Sequence, residues 1–212
     1  MEKIITALKA QKANQDRINV YLDGSFAFGV SKFVGLGLKV GQKLDPHEIN
    51  RLTDLDNREK AYQYALGYIR FKPRSCHDLT VKLKEKGYPE SIIASVIGEF
   101  SEKKYIDDRE YAVQWVETRA VSHPRSRRML KYELLNKGIS TQDIEVAIEN
   151  APNDYDLAMF LAEKNLHKFS SLNKEEFKKK IWGFLSRKAF GSFEIKKVID
   201  DLLETKFKDE TE

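Results

Sequence analysis

The stretch Tyr105-Ile106-Asp107-Asp108-Arg109-Glu110-Tyr111-Ala112-Val113-Gln114-Trp115-Val116 predicts the end of one helical unit and the start of the next. Ile106 closes an apolar helix, and Asp107 or Asp108 is suited to cap the following one, because a carboxylate accepts free backbone N–H groups and favours the positive end of the helix dipole. Four residues then recur at helical spacing and predict a buried face: Tyr111, Ala112, Trp115 and Val116. We interpret the aspartate pair as a cap, since a metal site would need further carboxylates or histidines at ligand spacing.

The pattern around this junction occurs three times. Gly87, Gly138 and Ala189 are separated by 51 residues (138 minus 87, and 189 minus 138), and each lies between a pair of apolar residues before it and a pair after it. The corresponding alanines Ala61 and Ala112 are also 51 residues apart, whereas Ala158 follows Ala112 by 46, which places a five-residue insertion before the second helix of the third copy. A fixed period of this length predicts a repeat protein, with three helices in each copy.

The composition indicates a folded protein in a reducing compartment. Of the 212 residues, 41% are apolar, and no apolar run reaches the roughly 18 residues of a membrane span. Residues 1–4 show no signal-peptide pattern, and the single cysteine, Cys76, excludes an internal disulfide. We therefore expect a cytoplasmic protein with no membrane association.

Positive charge is concentrated at one position of each repeat. The windows 70–88, 121–139 and 172–190 each carry a net charge of +4, which leaves −8 for the rest of a chain whose net charge is +4. If the repeats stack regularly, their second helices form one basic stripe for a long acidic or polymeric partner. The alternative is a set of solvated helix faces. The candidate binding residues are Arg70, Lys72, Arg74, Lys82, Arg125, Arg127, Arg128, Lys131, Lys178, Lys179, Lys180, Arg187 and Lys188.

Residues 1–56 differ in kind from the repeats. The run Lys3–Lys9 is typical of an extended strand, and Ile18–Leu22 alternates at period two before Asp23-Gly24, a dipeptide suited to a type I′ hairpin turn. The returning strand is Ser25–Val30. Gly35, Gly37 and Gly41 fit no phosphate-binding spacing, so we interpret them as loop positions, and Pro46–Leu52 predicts a short helix capped by Asp45.

The remaining chain divides into repeats at 57–106, 107–152 and 153–212. In the first, Arg58–Ile69 predicts a helix, Ser75 with Asp78 resembles a capping box, Gly87 ends the second helix, and Pro89 opens the third. In the second, the basic helix Arg125–Lys137 precedes Thr141–Glu149. We expect Trp115 and most aromatics of the third repeat (Phe160, Phe177, Trp182, Phe184 and Phe190) in the core, and a frayed tail over Glu204–Glu212. Cys76-His77 lacks further ligands at metal-site spacing, so no cofactor is expected.

Three segments resemble the RecX family of bacterial regulators of the RecA recombinase. They are Tyr105–Ala112, Glu133–Ile139 (ELLNKGI) and Leu83–Tyr88 (LKEKGY), and the resemblance covers about residues 57–203. The hairpin with Asn19–Gly24 resembles the N-terminal extension of one branch of that family. This chain departs from the family pattern at His123-Pro124, where a glycine is common, and at Ala189, which stands in place of a glycine.

The resemblance implies an elongated, curved array of three tri-helical repeats that acts as a monomer and has no enzymatic activity. It implies binding along the groove of a RecA–DNA filament, with inhibition of ATP hydrolysis and strand exchange and with filament disassembly. DNA repair, recombination and the SOS response would be regulated in this way. Binding of single- or double-stranded DNA alone would be weak.

A stand-alone DNA-binding protein and an enzyme are the two alternatives to this function. A stand-alone DNA-binding protein is compatible with helix-turn-helix-like repeats, although a net charge of +4 argues against high intrinsic affinity. An enzyme such as a nuclease would need clustered carboxylates or a histidine-based site, and the sequence shows neither pattern.

Overall fold

The computed structural model describes residues 1–206, in which four short strands precede a series of helices. The predicted mainly α fold is confirmed: a small β extension is followed by three groups of three helices. The described residues form two compact units: residues 1–73 with 79–105, and residues 74–78 with 106–206.

The first unit begins with a four-stranded antiparallel sheet in the order β3-β2-β1-β4. Its strands are β1 (Lys3–Ala10), β2 (Arg17–Leu22), β3 (Ser25–Ser31) and β4 (Lys43–Leu44). The β2–β3 hairpin turns at Asp23 and Gly24, whose φ angles of 49° and 84° confirm the turn type expected from the sequence. Neither β4 nor the one-turn helix α1 (Lys32–Gly35) was predicted, because both are too short to carry a periodic pattern.

Helix α2 (Pro46–Ile69) lies against this sheet and then continues into the first three-helix group. The prediction of two separate helices, Pro46–Leu52 and Arg58–Ile69, is wrong: the backbone between them remains helical, and no glycine or proline interrupts it. Leu52 on its first half joins Ile5, Val20 and other buried strand residues in one apolar cluster. Asp45 caps the helix by accepting from the Glu48 N–H, as predicted.

Asp56, in the middle of α2, is a charged group with only 2% of its surface exposed. Its carboxylate accepts two hydrogen bonds from the Arg17 guanidinium, at 3.2 and 2.8 Å, and one from the Ser31 backbone N–H at 2.7 Å. Lys60 Nζ, one turn along the helix, lies 2.8 Å away. Burial raises the pKa of Asp56, but these donors outweigh it and hold the pKa below its ordinary value.

The first three-helix group is completed by α3 (Cys76–Glu85) and α4 (Glu90–Glu102). Leu79 and Leu83 of α3 and Phe100 of α4 are fully buried. Pro89 is the N-cap of α4 in extended conformation and not its first helical residue, a shift of one position from the prediction. Ile106 lies beyond the end of α4 and is buried in the junction before α5, so it does not itself end a helix.

The second unit contains two further groups with separate apolar cores. The second group is α5 (Asp108–Ser122), α6 (Arg127–Leu135) and α7 (Thr141–Glu149); the third is α8 (Asp154–Lys164), α9 (Lys174–Ser186) and α10 (Ser192–Lys206). The predicted insertion in the third group forms a 3₁₀ turn, Leu166–Phe169, and an additional first turn of α9. Of the tail predicted to be frayed, residues 204–206 complete α10, and residues 207–212 lie outside the described residues.

The three positions that define the repeat share one backbone conformation. Gly87, Gly138 and Ala189 have φ angles of 80°, 72° and 66°, so the alanine adopts the left-handed cap despite its side chain. Gly138 has a second constraint, because a Cβ atom there would lie 2.5 Å from the Cβ of His77. The repeat is therefore recognisable in the sequence from the residue at which the chain reverses after the second helix of each group.

The prediction that Trp115 and most aromatic residues of the third repeat belong to the core is confirmed, with two exceptions. Phe177 and Phe190 are buried and Phe184 is half-buried, but Phe160 and Trp182 are 43% and 42% exposed. Trp115 is half-buried at the margin of its core, with its ring stacked on Tyr111. Within the described part of the chain, no helix has the length and apolar content needed to cross a membrane.

We expect Asp56→Asn to lower the free energy of unfolding by about 3 kcal/mol at pH 7, because it leaves Arg17 and Lys60 without a buried counter-charge. A carboxylate whose folded pKa is lowered contributes stability above its unfolded pKa of about 3.9, and that contribution disappears as the pH falls through the folded value. Urea denaturation followed by circular dichroism should show the difference between variant and parent narrowing below about pH 4. The exposed neighbour Asp54→Asn is the control, and an equal loss in both variants would contradict the assignment.

Candidate partner-binding surface

The start of α3 is held by residues that all belong to the second unit. Ser75 is fully buried; its hydroxyl accepts from the Asp78 N–H at 3.1 Å and donates to the Lys137 carbonyl at 2.8 Å. The first N–H of the helix, that of Cys76, donates to Asp108 Oδ1 at 2.8 Å. Asp107 caps its own helix α5, as predicted, so the two adjacent aspartates cap the starts of two different helices.

The start of α6 repeats this arrangement. Ser126 is also fully buried, caps the helix through the Met129 N–H, and donates its own backbone N–H to the Lys188 carbonyl at 3.4 Å. The first N–H of the helix, that of Arg127, donates to Asp154 Oδ1 at 2.7 Å. We refer to these two arrangements as the α3 joint and the α6 joint. Both joints contain the tripeptide Pro-Arg-Ser, at residues 73–75 and at residues 124–126.

Arg127, Arg125 and Lys178 are predicted binding residues in the second unit that take part in close internal contacts. Arg127 donates through Nε to the Pro152 carbonyl at 3.1 Å and through its terminal nitrogen to the Ala151 carbonyl, next to its joint with Asp154. Arg125 Nε lies 3.0 Å from Glu133 Oε1. Lys178 Nζ lies 2.9 Å from Glu175 Oε1. Arg127 therefore has a structural role, as a donor to two carbonyls, that its sequence position did not indicate.

Glu133 is the centre of a larger cluster on the inner side of α6. Its other carboxylate oxygen lies 3.0 Å from Arg119 Nε and accepts from the indole N–H of Trp115 at 3.0 Å. The Arg119 guanidinium also lies over the Trp115 ring, 4.6 Å from the ring centre. Lys137, on the same ring at 5.7 Å, forms an ion pair with Asp78. Charge on this side of α6 is therefore largely compensated.

The outward side of α6 is different. Arg128 is exposed, and no carboxylate of residues 1–206 lies within ion-pair distance of it. Lys131 Nζ approaches Glu145 only to 3.7 Å, a distance typical of a weak surface pair. Tyr132 and Leu135 lie on the same face with 61% and 46% of their surfaces exposed. Two predicted cations, Arg128 and Lys131, thus lie beside the exposed aromatic residue Tyr132.

Helix α9 and the two residues after it carry four further predicted cations of the second unit besides Lys178. Lys179, Lys180 and Arg187 are exposed, and Lys188 is half-buried beside the α6 joint. A surface cleft of about 650 Å³ runs between α9 and α10. Its lining contains three lysines and three carboxylates around Trp182 and Ile199, namely Glu175, Glu176, Lys178, Lys179, Lys196 and Asp200. This cleft is therefore balanced in charge.

In the first unit, Arg70 and Lys72 are exposed on either side of Phe71, which has 84% of its surface exposed. Lys82 donates a hydrogen bond to Glu85 at 2.8 Å, and this contact raises the pKa of Lys82. Arg74, which belongs to the second unit, is half-buried. The candidate cations of this part of the chain therefore differ both in exposure and in ion pairing.

The exposure of the aromatic residues Phe71 and Tyr132 was not predicted from the sequence. A signal was available for Tyr132, which lies two residues from each of the buried Leu130 and Leu134 and so falls on the opposite side of the helix. No comparable signal marks Phe71, which follows the last helical turn of α2. Within residues 1–206, no three His, Cys, Asp or Glu side chains are grouped so as to hold a metal ion.

Comparison with known proteins gives a consistent result along the chain. Residues 3–45 match the N-terminal domain of regulatory protein RecX, and residues 61–100, 107–148 and 153–199 match its first, second and third three-helix domains. The regulatory protein RecX of Bacillus pumilus is 34% identical over 195 residues, covering 90% of this chain and 74% of the relative. That of Leuconostoc mesenteroides is 32% identical over 214 residues, covering 99% and 79%.

Two solved structures resemble this one. A crystal structure of regulatory protein RecX superposes with a TM-score of 0.72 and 28% identity, covering 93% of this chain and 99% of the other. The crystal structure of RecX from Lactobacillus salivarius gives a TM-score of 0.61 and 26% identity, covering 70% and 97%.

We expect Arg127→Ala to lower the free energy of unfolding by about 2 kcal/mol, because two carbonyls of the 151–152 segment lose their donors. Its neighbour Arg128→Ala should change that free energy by less than about 0.5 kcal/mol, since its side chain is exposed. Urea denaturation followed by Trp115 and Trp182 fluorescence measures both. A stable Arg127→Ala variant would show that the contacts of this side chain contribute little to folding.

Proposed function

Because this chain belongs to the RecX family, we propose that it inhibits the RecA recombinase by binding along the RecA–DNA filament. Binding would lower ATP hydrolysis and strand exchange and favour filament disassembly, and so regulate DNA repair and recombination in the cytoplasm. The relatives are named as regulatory proteins, and we propose that this protein likewise acts by binding as a monomer, without catalysis.

The observation that carries the proposal is the set of exposed cations on α6 and α9. Arg128, Lys179, Lys180 and Arg187 point away from the apolar cores that Leu130, Leu134 and their α9 counterparts fill. None of these four cations forms an ion pair within 4.0 Å among residues 1–206, although carboxylates line the cleft beside Lys179, so none gives up a close internal pair when it meets a phosphate or an acidic side chain. Each such contact with DNA also releases counterions, which makes binding sensitive to salt.

The internal contacts narrow the set of residues to test. Replacing Arg125 or Arg127 would disturb the Glu133 cluster or the α6 joint, so a loss of inhibition would not identify a binding residue. Arg128 and Lys179 avoid this difficulty because both are exposed and occupy the same position 51 residues apart. Lys164 and Lys168, exposed on α8 and the 3₁₀ turn of the same unit, provide a control with an equal loss of charge.

We expect Arg128→Ala with Lys179→Ala to raise the concentration that half-inhibits RecA ATP hydrolysis on single-stranded DNA by about fivefold to tenfold. The parent protein should inhibit at well below one molecule per RecA subunit, and the Lys164→Ala, Lys168→Ala control should inhibit like the parent. A coupled ATPase assay at two salt concentrations measures all three proteins. If the parent does not inhibit, the proposed function is wrong. If the parent inhibits and the Arg128→Ala, Lys179→Ala variant inhibits equally well, the surface is wrong.

A further inference from the structure

Tyr132 is an aromatic residue whose position the fold does not explain. It lies on the outward face of α6 with 61% of its surface exposed, while the buried residues Leu130 and Leu134 hold the opposite face. A large exposed aromatic group at the centre of a charged helix face is a feature of binding surfaces and contributes little to folding.

The neighbours of Tyr132 on the helix are cations. Arg128 precedes it by four residues, so the two side chains are adjacent on one face, and Lys131 is its immediate neighbour along the chain. Leu135, three residues on, extends the apolar surface next to the ring, with 46% exposure. The face therefore presents a flat aromatic group with positive charge at one end and an apolar edge at the other.

Carboxylates do not compensate these cations effectively. Glu133 is engaged on the inner side of the helix with Arg119, Arg125 and Trp115. Glu145 is the carboxylate nearest to Lys131 among residues 1–206, and at 3.7 Å and 70% exposure it forms a weak pair that a stronger anion would displace. A ligand for this face should combine planar rings with negative charges at short, regular intervals.

We propose that the outward face of α6 binds single-stranded nucleic acid, with a base stacked on the ring of Tyr132 and an adjacent phosphate bound by Arg128 and Lys131. Stacking needs unpaired bases, which a single strand offers and a duplex does not. The inference rests on the proposed function, because it identifies the component of the filament that this part of the surface contacts.

The cleft beside Trp182 provides the contrasting case within the same unit. It also presents an exposed aromatic side chain, and Lys178 precedes Trp182 by four residues. Its lining, however, contains as many carboxylates as lysines, and Lys178 is paired with Glu175. The carboxylates of this cleft would repel a phosphate. Replacing Tyr132 should therefore weaken strand binding more than replacing Trp182.

The test measures direct binding without RecA, by fluorescence anisotropy of a labelled oligothymidylate of about 12 nucleotides, a length typical of single-strand binding sites. Tyr132→Ala should weaken binding by about fivefold or more, because stacking contributes on the order of 1 kcal/mol per base. Tyr132→Phe should bind like the parent, since it keeps the ring. Trp182→Ala should change the affinity by less than about twofold.

A strand of the same length without bases separates stacking from charge. Arg128→Ala should weaken binding of both strands, whereas Tyr132→Ala should weaken only the strand that carries bases. Equal affinity of Tyr132→Ala and the parent for oligothymidylate, or an equal loss in Trp182→Ala, would overturn the assignment. If Tyr132→Ala loses inhibition of the RecA ATPase while its strand binding is unchanged, the face contacts protein: this inference fails and the proposed function stands.

Discussion

Two aspartate carboxylates fix the starts of two helices, and the second of these helices, α6, carries part of the basic surface. Asp108 accepts from the first N–H of α3 at 2.8 Å, and Asp154 accepts from the first N–H of α6 at 2.7 Å. Because side chains follow a helix at a fixed angular step, holding the first turn in one orientation also fixes which later side chains face the core and which face outward. At the α6 joint this places Leu130 and Leu134 inward and leaves Arg128 and Tyr132 outward.

Ion pairing then divides the cations into two groups with different uses. Arg125 and Arg119 surround Glu133, and Arg127 binds carbonyls next to its joint, so these side chains contribute mainly to the folded unit. Partly buried pairs of this kind are costly to break, because the remaining partner keeps its charge without compensation. The exposed cations are not held in such pairs among residues 1–206, and each contributes a modest, salt-dependent increment to the free energy of binding. A surface composed of them should bind a polymeric anion through many contacts of similar weight.

The sequence was sufficient for the repeat, the caps and the hairpin, because each depends on local spacing or on a residue with a restricted backbone, such as Gly138 and Asp23-Gly24. It was insufficient where contacts join distant residues. The Asp56 cluster joins positions 39 residues apart, and nothing near Arg127 indicates that its guanidinium would bind the carbonyls of residues 151–152. Equal net charge in three windows therefore concealed different local environments. The exposure of Tyr132 could be deduced from its angular position on the helix relative to Leu130. The exposure of Trp182 could not, because it depends on how α10 packs on α9.

Hydrogen exchange of the backbone amides, measured with and without RecA filaments on single-stranded DNA, tests most directly whether the outward faces of α6 and α9 form the binding surface. We expect slower exchange on filament binding in the segments Arg127–Leu135 and Lys174–Ser186, with α8 unchanged as an internal reference. Protection confined to the strands β1–β4, with α6 and α9 exchanging as in the free protein, would contradict it.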